Sequence, residues 1–540
     1  MKIRSFRLVN TAQAVILIIA LVAGLGGPIP SYAQASLPQL GDDQLMSVAM
    51  ERKLGQRIAR EIYRDPDYLD DPLIGDYLQR IWQPLVSAAS ARGDLTPELQ
   101  DRFAWQLMLS RDRSVNAFAL PGGYLGVHLG LIALVANRDE LASVLGHELS
   151  HVTQRHIARI TTKQSQQTPL ILAAMILGAL AARQNSDVAS AVITGGQAAS
   201  AQSQLNFSRD MEREADRIGY QIMQDAQFNV QGFVTMFDKL AVANRINDNG
   251  SYPYLRSHPL TSERIGDMQA RMQLAVPTAR QVGQNSALEH AIIAKRAQIL
   301  SNQSADALRA QVVQADSELR VWGANATATP RDKLLSAKLY GGALAALKQR
   351  DLAAAKRMAE GAKRALIAGQ SVVLTNAAAK DMYAEQAIDV LLAEIALAQG
   401  DAALAREMLR ATATGSTPQR PALLMWARAA AAPGASVSDM QLAAQTLQVW
   451  MTQKPEDAPA WQALADVYTA QKQPLRAIRA QAESRVALLD YTAALDRFKA
   501  GQDLARSSAS VDHIELSIID SRARAVQVLQ RDFVNDKLAN

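Results

Sequence analysis

A mainly α-helical protein in two parts, with one small β-sheet in the first, is what this sequence predicts, and three observations predict it. The chain has 540 residues, more than one ordinary core holds. Apolar residues make up 49% of it and aromatics only 5%, a balance that closely packed, alanine-rich helices produce and a disordered tail does not. From about Leu274 onward the mixed periodicity of the first half gives way to uniform helical spacing broken by Gly or Pro at intervals of roughly thirty-odd residues.

The first element is an export signal over residues 1–35. In "MKIRSFRLVNTAQAVILIIALVAGLGGPIPSYAQA", Lys2, Arg4 and Arg7 precede an apolar run, a Gly/Pro break follows, and Ala33-Gln34-Ala35 offers the small residues a signal peptidase accepts. The apolar run falls short of the ~20 residues that span a bilayer, so cleavage before Ser36 is expected. Three of the formal +5 charges lie in this signal, leaving +2 on the mature chain, a balance that gives no reason to expect a nucleic-acid partner. The chain has no cysteine, which removes both a disulfide framework and a lipid-attachment site and predicts a soluble mature protein.

A first domain is expected over 36–272. Its decisive stretch is "RDELASVLGHELSHVTQRH", which reads as a helix: Asp139 and Glu140 suit the first turn, and Leu141, Val144, Leu145 and Val152 recur at helical spacing. His147 and His151, four residues apart, project from one face and suit one tetrahedral zinc ion. Glu148 beside them completes H-E-x-x-H, in which the glutamate takes a proton from metal-bound water; chance occurrence in a chain of this composition is on the order of one in a few hundred.

The third ligand cannot follow the metzincin spacing, because Gln154 and Ile157 stand where that motif needs Gly and His. A later helix, "SRDMEREADRIGY", offers Glu212 and its competitor Glu214. Glu212 is favoured, since Asp216 lies one turn on as a partner for a ligating histidine, whereas Glu214 has Ile218 there. Gly219 lets this helix approach its neighbour closely. Between the two helices, residues 169–182, within "TPLILAAMILGALAAR", are apolar but short, which suits a buried helix or one touching a membrane surface peripherally.

A second domain, 273–540, is expected to be a stack of helical hairpins. Trp461, Leu464, Ala465, Tyr468 and Ala477 fall at the offsets of the 34-residue tetratricopeptide pattern, as do Leu392, Ala393, Gly400, Ala405 and Leu409. Gly434 and Lys472 mark the equivalent turns, and weaker units surround "LYGGALAALKQRDLAAAKRM" and "YTAALDRFKAG". Such stacks present a concave surface for a peptide or protein.

"DELASVLGHELSHVTQRH", "EREADRIG" and "HPLTSERI" together resemble the motifs of the M48 peptidases, zinc metalloendopeptidases of zincin-like fold. The resemblance implies one Zn²⁺ per chain held by His147, His151 and Glu212, with Glu148 as general base. It also implies roles for His258 and Arg264 in stabilising the oxyanion or in gating. The stretch "NAFALPGGYLGVHLGLI" resembles the family's strand and turn before the zinc helix. There Pro121-Gly122-Gly123 forms the turn, and Tyr124, Leu125, Gly126 and Val127, running on to His128, are expected to be an exposed edge strand that pairs with extended substrate. His128 and His156 receive no role. Multi-span members of the family have membrane segments that this chain lacks, and any disulfide bracing of repeats in relatives is impossible here.

An exported member with a repeat array implies a periplasmic endopeptidase in quality control of outer-membrane β-barrel proteins. Its expected partners are unfolded or misassembled outer-membrane proteins and, through the repeats, the machinery that assembles them. The competing class is a chaperone or adaptor that keeps the zinc fold but works by binding. A further expectation is that His258, on the turn-rich "GSYPYLRSHP", fills the open metal position at rest and swings away to restore it.

Overall fold

The structure, a computed structural model, describes residues 46–162, 208–245, 251–274, 286–323, 332, 334–371, 381–507 and 512–538. The expected signal over 1–35 and the apolar stretch 169–182 lie outside the described residues. Among those residues no helix is long and apolar enough to cross a membrane.

Helix α1 (Val48–Arg64), the short strand β1 (Tyr68–Leu69), α2 (Pro72–Arg92) and α3 (Pro97–Arg102) come first. Strands β2 (Gln106–Ser110), β3 (Ala117–Leu120) and β4 (Tyr124–His128) then lead into α4 (Leu129–Leu134) and α5 (Arg138–Thr153). The four strands make one sheet in the order β1-β2-β4-β3, with β4 parallel to β2 and antiparallel to β3. One face of the sheet packs toward α2 and α5 through Leu109, Leu125, Val127 and Ala117; the other packs toward α1 through Met108, Leu120 and Tyr124.

This topology corrects one expectation. Tyr124, Leu125, Gly126 and Val127 are not an edge strand: β4 is interior, buried along its whole length and hydrogen-bonded on both sides. The tight turn at Pro121–Gly123 folds the preceding strand back beside β4, so the edge on that side of the sheet belongs to β3. A parallel neighbour on one side and a hairpin on the other leave β4 no open main-chain groups.

The chain continues with α6 (His156–Thr162), α7 (Arg209–Asp225), α8 (Gln231–Arg245), α9 (Tyr254–Ser257) and α10 (Ser262–Leu274). Helix α5 starts where the Asn137 side chain accepts from the Glu140 amide at 2.9 Å, with Asp139 and Glu140 in the first turn, and its residues from Glu140 onward are buried. It crosses α7 where Gly146 meets Gly219. A Cβ on Gly219 would lie 3.0 Å from the Gly146 carbonyl and the His147 nitrogen, so only glycine permits this approach.

The remainder is helical: α11 (Ser286–Ser301), α12 (Ala305–Gly323), α13 (Leu335–Lys348), α14 (Leu352–Ser371), α15 (Met382–Ala398) and α16 (Ala402–Thr414). It ends with α17 (Arg420–Ala430), α18 (Val437–Gln453), α19 (Ala458–Ala470), α20 (Pro474–Ala487), α21 (Tyr491–Ser507) and α22 (His513–Leu538). Consecutive helices pair as hairpins, and the turn positions Arg350, Gly400, Gly434, Lys472 and Leu489 all have positive φ, between 58° and 86°. After Arg350, Gly400, Lys472 and Leu489 the next amide bonds back to a carbonyl five residues earlier, as in Asp401 N to Ala396 O at 2.8 Å, which closes the helix and reverses the chain.

These hairpins pack directly on the first half. The His290 ring on α11 lies between the Tyr77 hydroxyl at 2.6 Å and the Val135 carbonyl at 2.9 Å. Arg296 binds Asp71 through contacts of 2.7–2.9 Å and the Tyr340 hydroxyl at 3.0 Å. Arg420 bridges Asp70 at 3.0 Å and Asp457 at 2.8 Å.

Candidate metal centre

The (i, i+4) spacing on α5 brings His147 and His151 side by side, their Nε2 atoms 3.0 Å apart. Helix α7, held close at Gly219, delivers Glu212 from its first turn: Oε1 lies 3.4 Å from His151 Nε2 and Oε2 lies 3.5 Å from His147 Nε2. A fourth donor arrives from the end of α9. His258 Nδ1 is 3.0 Å from Glu212 Oε1 and 3.3 Å from His147 Nε2. Donor atoms of all four residues lie within 4.8 Å of one another, and all four side chains are buried.

The donor set fits a metal ion. Ligand atoms about 2.0–2.1 Å from a tetrahedral zinc stand about 3.3–3.4 Å apart, close to the edges measured here. Two imidazole nitrogens facing each other across 3.0 Å need a cation or a proton between them. Burial works to lower the His147 pKa, yet hydrogen bonds and charge from Asp216 and Glu212 outweigh it and push it up to about 10. Glu212 and Asp216 thus set negative charge beside the paired rings, which a divalent cation would offset.

Asp216 Oδ1 sits 2.9 Å from His147 Nδ1, the ring nitrogen that faces away from the donor cluster. It orients that imidazole, as expected of a carboxylate behind a ligand. Arg264 holds Asp216 in turn, donating from Nε at 2.6 Å and Nη2 at 2.8 Å, while its Nη1 donates to Pro259 O at 2.8 Å and lies 2.8 Å from Glu212 Oε2. This corrects the expectation that Arg264 serves the oxyanion. The guanidinium is buried and committed to two carboxylates and a carbonyl, so it braces the donors.

Glu148 is fully buried, and its Oε2 accepts from the Ala119 amide of β3 at 2.9 Å. Its Oε1 is 3.3 Å from His258 Nε2. Burial raises its pKa, against the lowering effect of the neighbouring imidazoles, toward the range in which a carboxylate accepts a proton and gives it up again.

Glu214 points elsewhere, toward His156 at 3.1 Å and Arg159 at 2.8 Å. Sequence reasoning missed His156, because α5 stops at Thr153 and Arg155 takes a left-handed φ of 50°, which swings His156 back under His151. Their Nδ1 atoms are 2.8 Å apart. Tyr254 was also missed; its ring stacks on His258 at 4.6 Å. An aromatic four residues before a histidine was the available signal. His128 is structural, bonded to the Ser114 hydroxyl at 3.0 Å.

Val115 N donates to Ser251 O at 2.8 Å and Tyr254 N donates to Val115 O at 3.3 Å. The segment carrying His258 is thus stitched to the chain just before the free edge of β3.

Residues 75–272 match the Peptidase family M48 model. The chain carries a peptidase family M48 domain. All four clustered donors and Glu148 lie inside the matched stretch. The β-barrel assembly-enhancing protease of Escherichia coli is 31% identical over 268 residues, 49% of this chain and 53% of that protein. The protein of the same description from Yersinia pestis is 32% identical over 247 residues, 45% of this chain and 49% of that one. A mitochondrial metalloendopeptidase of Saccharomyces cerevisiae is 29% identical over 196 residues, covering 35% and 54%. The chain spans about half the length of the relatives it matches.

Proposed function

We propose that this protein is an exported, zinc-dependent endopeptidase of the periplasm that acts on misfolded or stalled outer-membrane β-barrel proteins. The observation that carries the reading is the buried set His147, His151, Glu212 and His258 beside Glu148, within an M48 domain. The substrate class follows the description of the bacterial relatives. In this reading residues 1–35 are the signal, 36–272 the peptidase domain and 273–540 a tetratricopeptide-like array that docks substrate or an assembly machine, with 169–182 available for peripheral membrane contact.

His147, His151 and Glu212 would hold the ion, one per chain. Bound zinc supplies a water acidified to a pKa of about 7 and polarises the peptide carbonyl. Glu148, fixed through Oε2 by the Ala119 amide, presents Oε1 to take the proton from water and pass it to the leaving amine. Asp216 and Arg264 keep His147 and Glu212 in register. Because Asn116 O bonds inward to His128 N, alternation points the main-chain groups of Val115 and Ala117 and the Ala119 carbonyl outward, the Ala119 amide being taken by Glu148, and an extended polypeptide would add to this edge with little sequence demand.

His258 occupies the fourth donor position, and its segment takes both main-chain groups of Val115. Displacing that segment would open the metal position and the strand edge together. The same closed arrangement favours the second reading, in which the resting protein binds unfolded chains as a chaperone or adaptor without cutting them. Incubation with an unfolded outer-membrane β-barrel polypeptide separates the two. Cleavage that chelator abolishes and zinc restores is expected, whereas binding without cleavage, or cleavage indifferent to chelator, rejects the peptidase reading.

A further inference from the structure

We infer that His156, backed by Glu214 and Arg159, is a positioning relay that sets the tautomer and orientation of the ligand His151; the inference rests on the metal-site reading above. The two ligand histidines of α5 are braced in different ways. His147 Nδ1 meets a carboxylate directly, Asp216 at 2.9 Å, and Arg264 holds that carboxylate. His151 Nδ1 faces His156 Nδ1 at 2.8 Å, and a carboxylate comes one step later, with Glu214 Oε2 3.1 Å from His156 Nε2 and 2.8 Å from Arg159 Nη1. Each ligand ring thus ends on an arginine-bound carboxylate, one directly and one through a second imidazole.

Proton placement follows from the donor inventory. His151 Nε2 faces the donor cluster and must offer its lone pair there, so its single proton sits on Nδ1 and is donated to His156 Nδ1. An accepting Nδ1 obliges His156 to carry its own proton on Nε2, where Glu214 Oε2 accepts it. Glu214 Oε2 also accepts from Arg159 Nη1 at 2.8 Å, which fixes the carboxylate beneath the ring. Reversing either link would put two N–H groups, or two lone pairs, face to face, at 2.8 Å between the rings or 3.1 Å at Glu214. Helix geometry supplies the relay: the left-handed Arg155, tied by its Nε to Glu51 Oε2 at 2.9 Å, turns the chain so that His156 lies under His151.

The test uses the full mature chain and Zn²⁺ as the probe, with affinity read by competition against a chromophoric chelator. His156→Phe keeps the ring volume but removes the acceptor, and should weaken zinc binding by roughly 10–100-fold, the usual cost of losing such a partner. His156→Asn puts an amide oxygen near the Nδ1 position and should restore most of that loss. Zinc bound by His156→Phe as tightly as by wild type, or an Asn variant no better than Phe, overturns the inference. Should the Phe variant fail to fold, ¹⁵N spectra of histidine-labelled wild type decide the matter. In the zinc-loaded protein His151 should show a proton on Nδ1 with Nε2 metal-bound, and His156 a proton on Nε2; the opposite tautomer at either ring overturns it. A wild type that binds no zinc at all would instead defeat the metal-site reading beneath it.

Discussion

The crossing of α5 and α7 makes Gly219→Ala a sharp probe of the metal centre, because the added methyl touches no donor yet forces the two helices that carry them apart. Its Cβ would stand 3.0 Å from the carbonyl carbon and oxygen of Gly146 and from His147 N. Ordinary contact begins at about 3.5 Å, so relief requires a separation of about 0.4–0.5 Å. That displacement matches the ~0.5 Å tolerance within which a site keeps its geometry, and it falls between Glu212 on one helix and the histidine pair on the other. Overpacking costs about 1–3 kcal/mol, while replacing a mid-helix glycine returns about 0.5–1 kcal/mol, so the metal-free protein should lose little stability. Zinc affinity should fall by roughly tenfold, about 1.4 kcal/mol. Gly146→Ala, whose nearest contact is Gly219 O at 3.3 Å, should do the same more weakly. The assay is chelator competition for zinc alongside thermal denaturation with chelator present. Wild-type zinc affinity in Gly219→Ala, or a larger effect from Gly146→Ala, refutes the reasoning.

Glu212→Gln should lose zinc while Glu214→Gln, which only weakens an outer contact, keeps it; metal analysis showing equal retention contradicts the donor assignment. His258→Ala should still bind zinc and should cleave an unfolded substrate faster than wild type; a slower variant would make His258 part of the transition-state machinery instead. Asp71 is buried against Arg296, and although burial raises its pKa, that guanidinium holds it below the usual value of about 3.9. A depressed folded pKa gives stability that is complete above the unfolded value and drains as pH falls through the folded one. Asp71→Asn keeps the bond to the Ile74 amide but strands the arginine, so it should cost about 3–5 kcal/mol at pH 6, with the gap from wild type narrowing below about pH 4. Urea midpoints at pH 6, 4 and 3 measure this, and a gap constant with pH contradicts it.

The site was legible where chemistry is written in short spacings. H-E-x-x-H predicted that His147, His151 and Glu148 would come together because (i, i+4) on one helix leaves little geometric freedom, and Asp216 one turn after Glu212 singled out the carboxylate that joins the cluster. The repeat turns were legible for the same local reason: Gly400, Gly434 and Lys472 stand where a helix must close through a left-handed residue. What failed depended on tertiary placement. Whether the strand from Tyr124 is interior depends on where β2 and β3 lie, which no pattern within it records. Arg264, expected to serve the oxyanion or gating, is instead held by Asp216 and Glu212, partners that only the packing of α7 brings to it. His156 needed the break at Arg155, a non-glycine residue at positive φ that composition does not announce.

The claim that Glu148 performs the proton transfer at a metal held by its neighbours is tested most directly by Glu148→Gln, matched to wild type at one zinc per chain and incubated with an unfolded outer-membrane β-barrel protein. The amide keeps the size of the side chain and its acceptor for the Ala119 amide but cannot take a proton from water. Full zinc occupancy and no cleavage are expected. Cleavage at the wild-type rate by a zinc-loaded Glu148→Gln would contradict it.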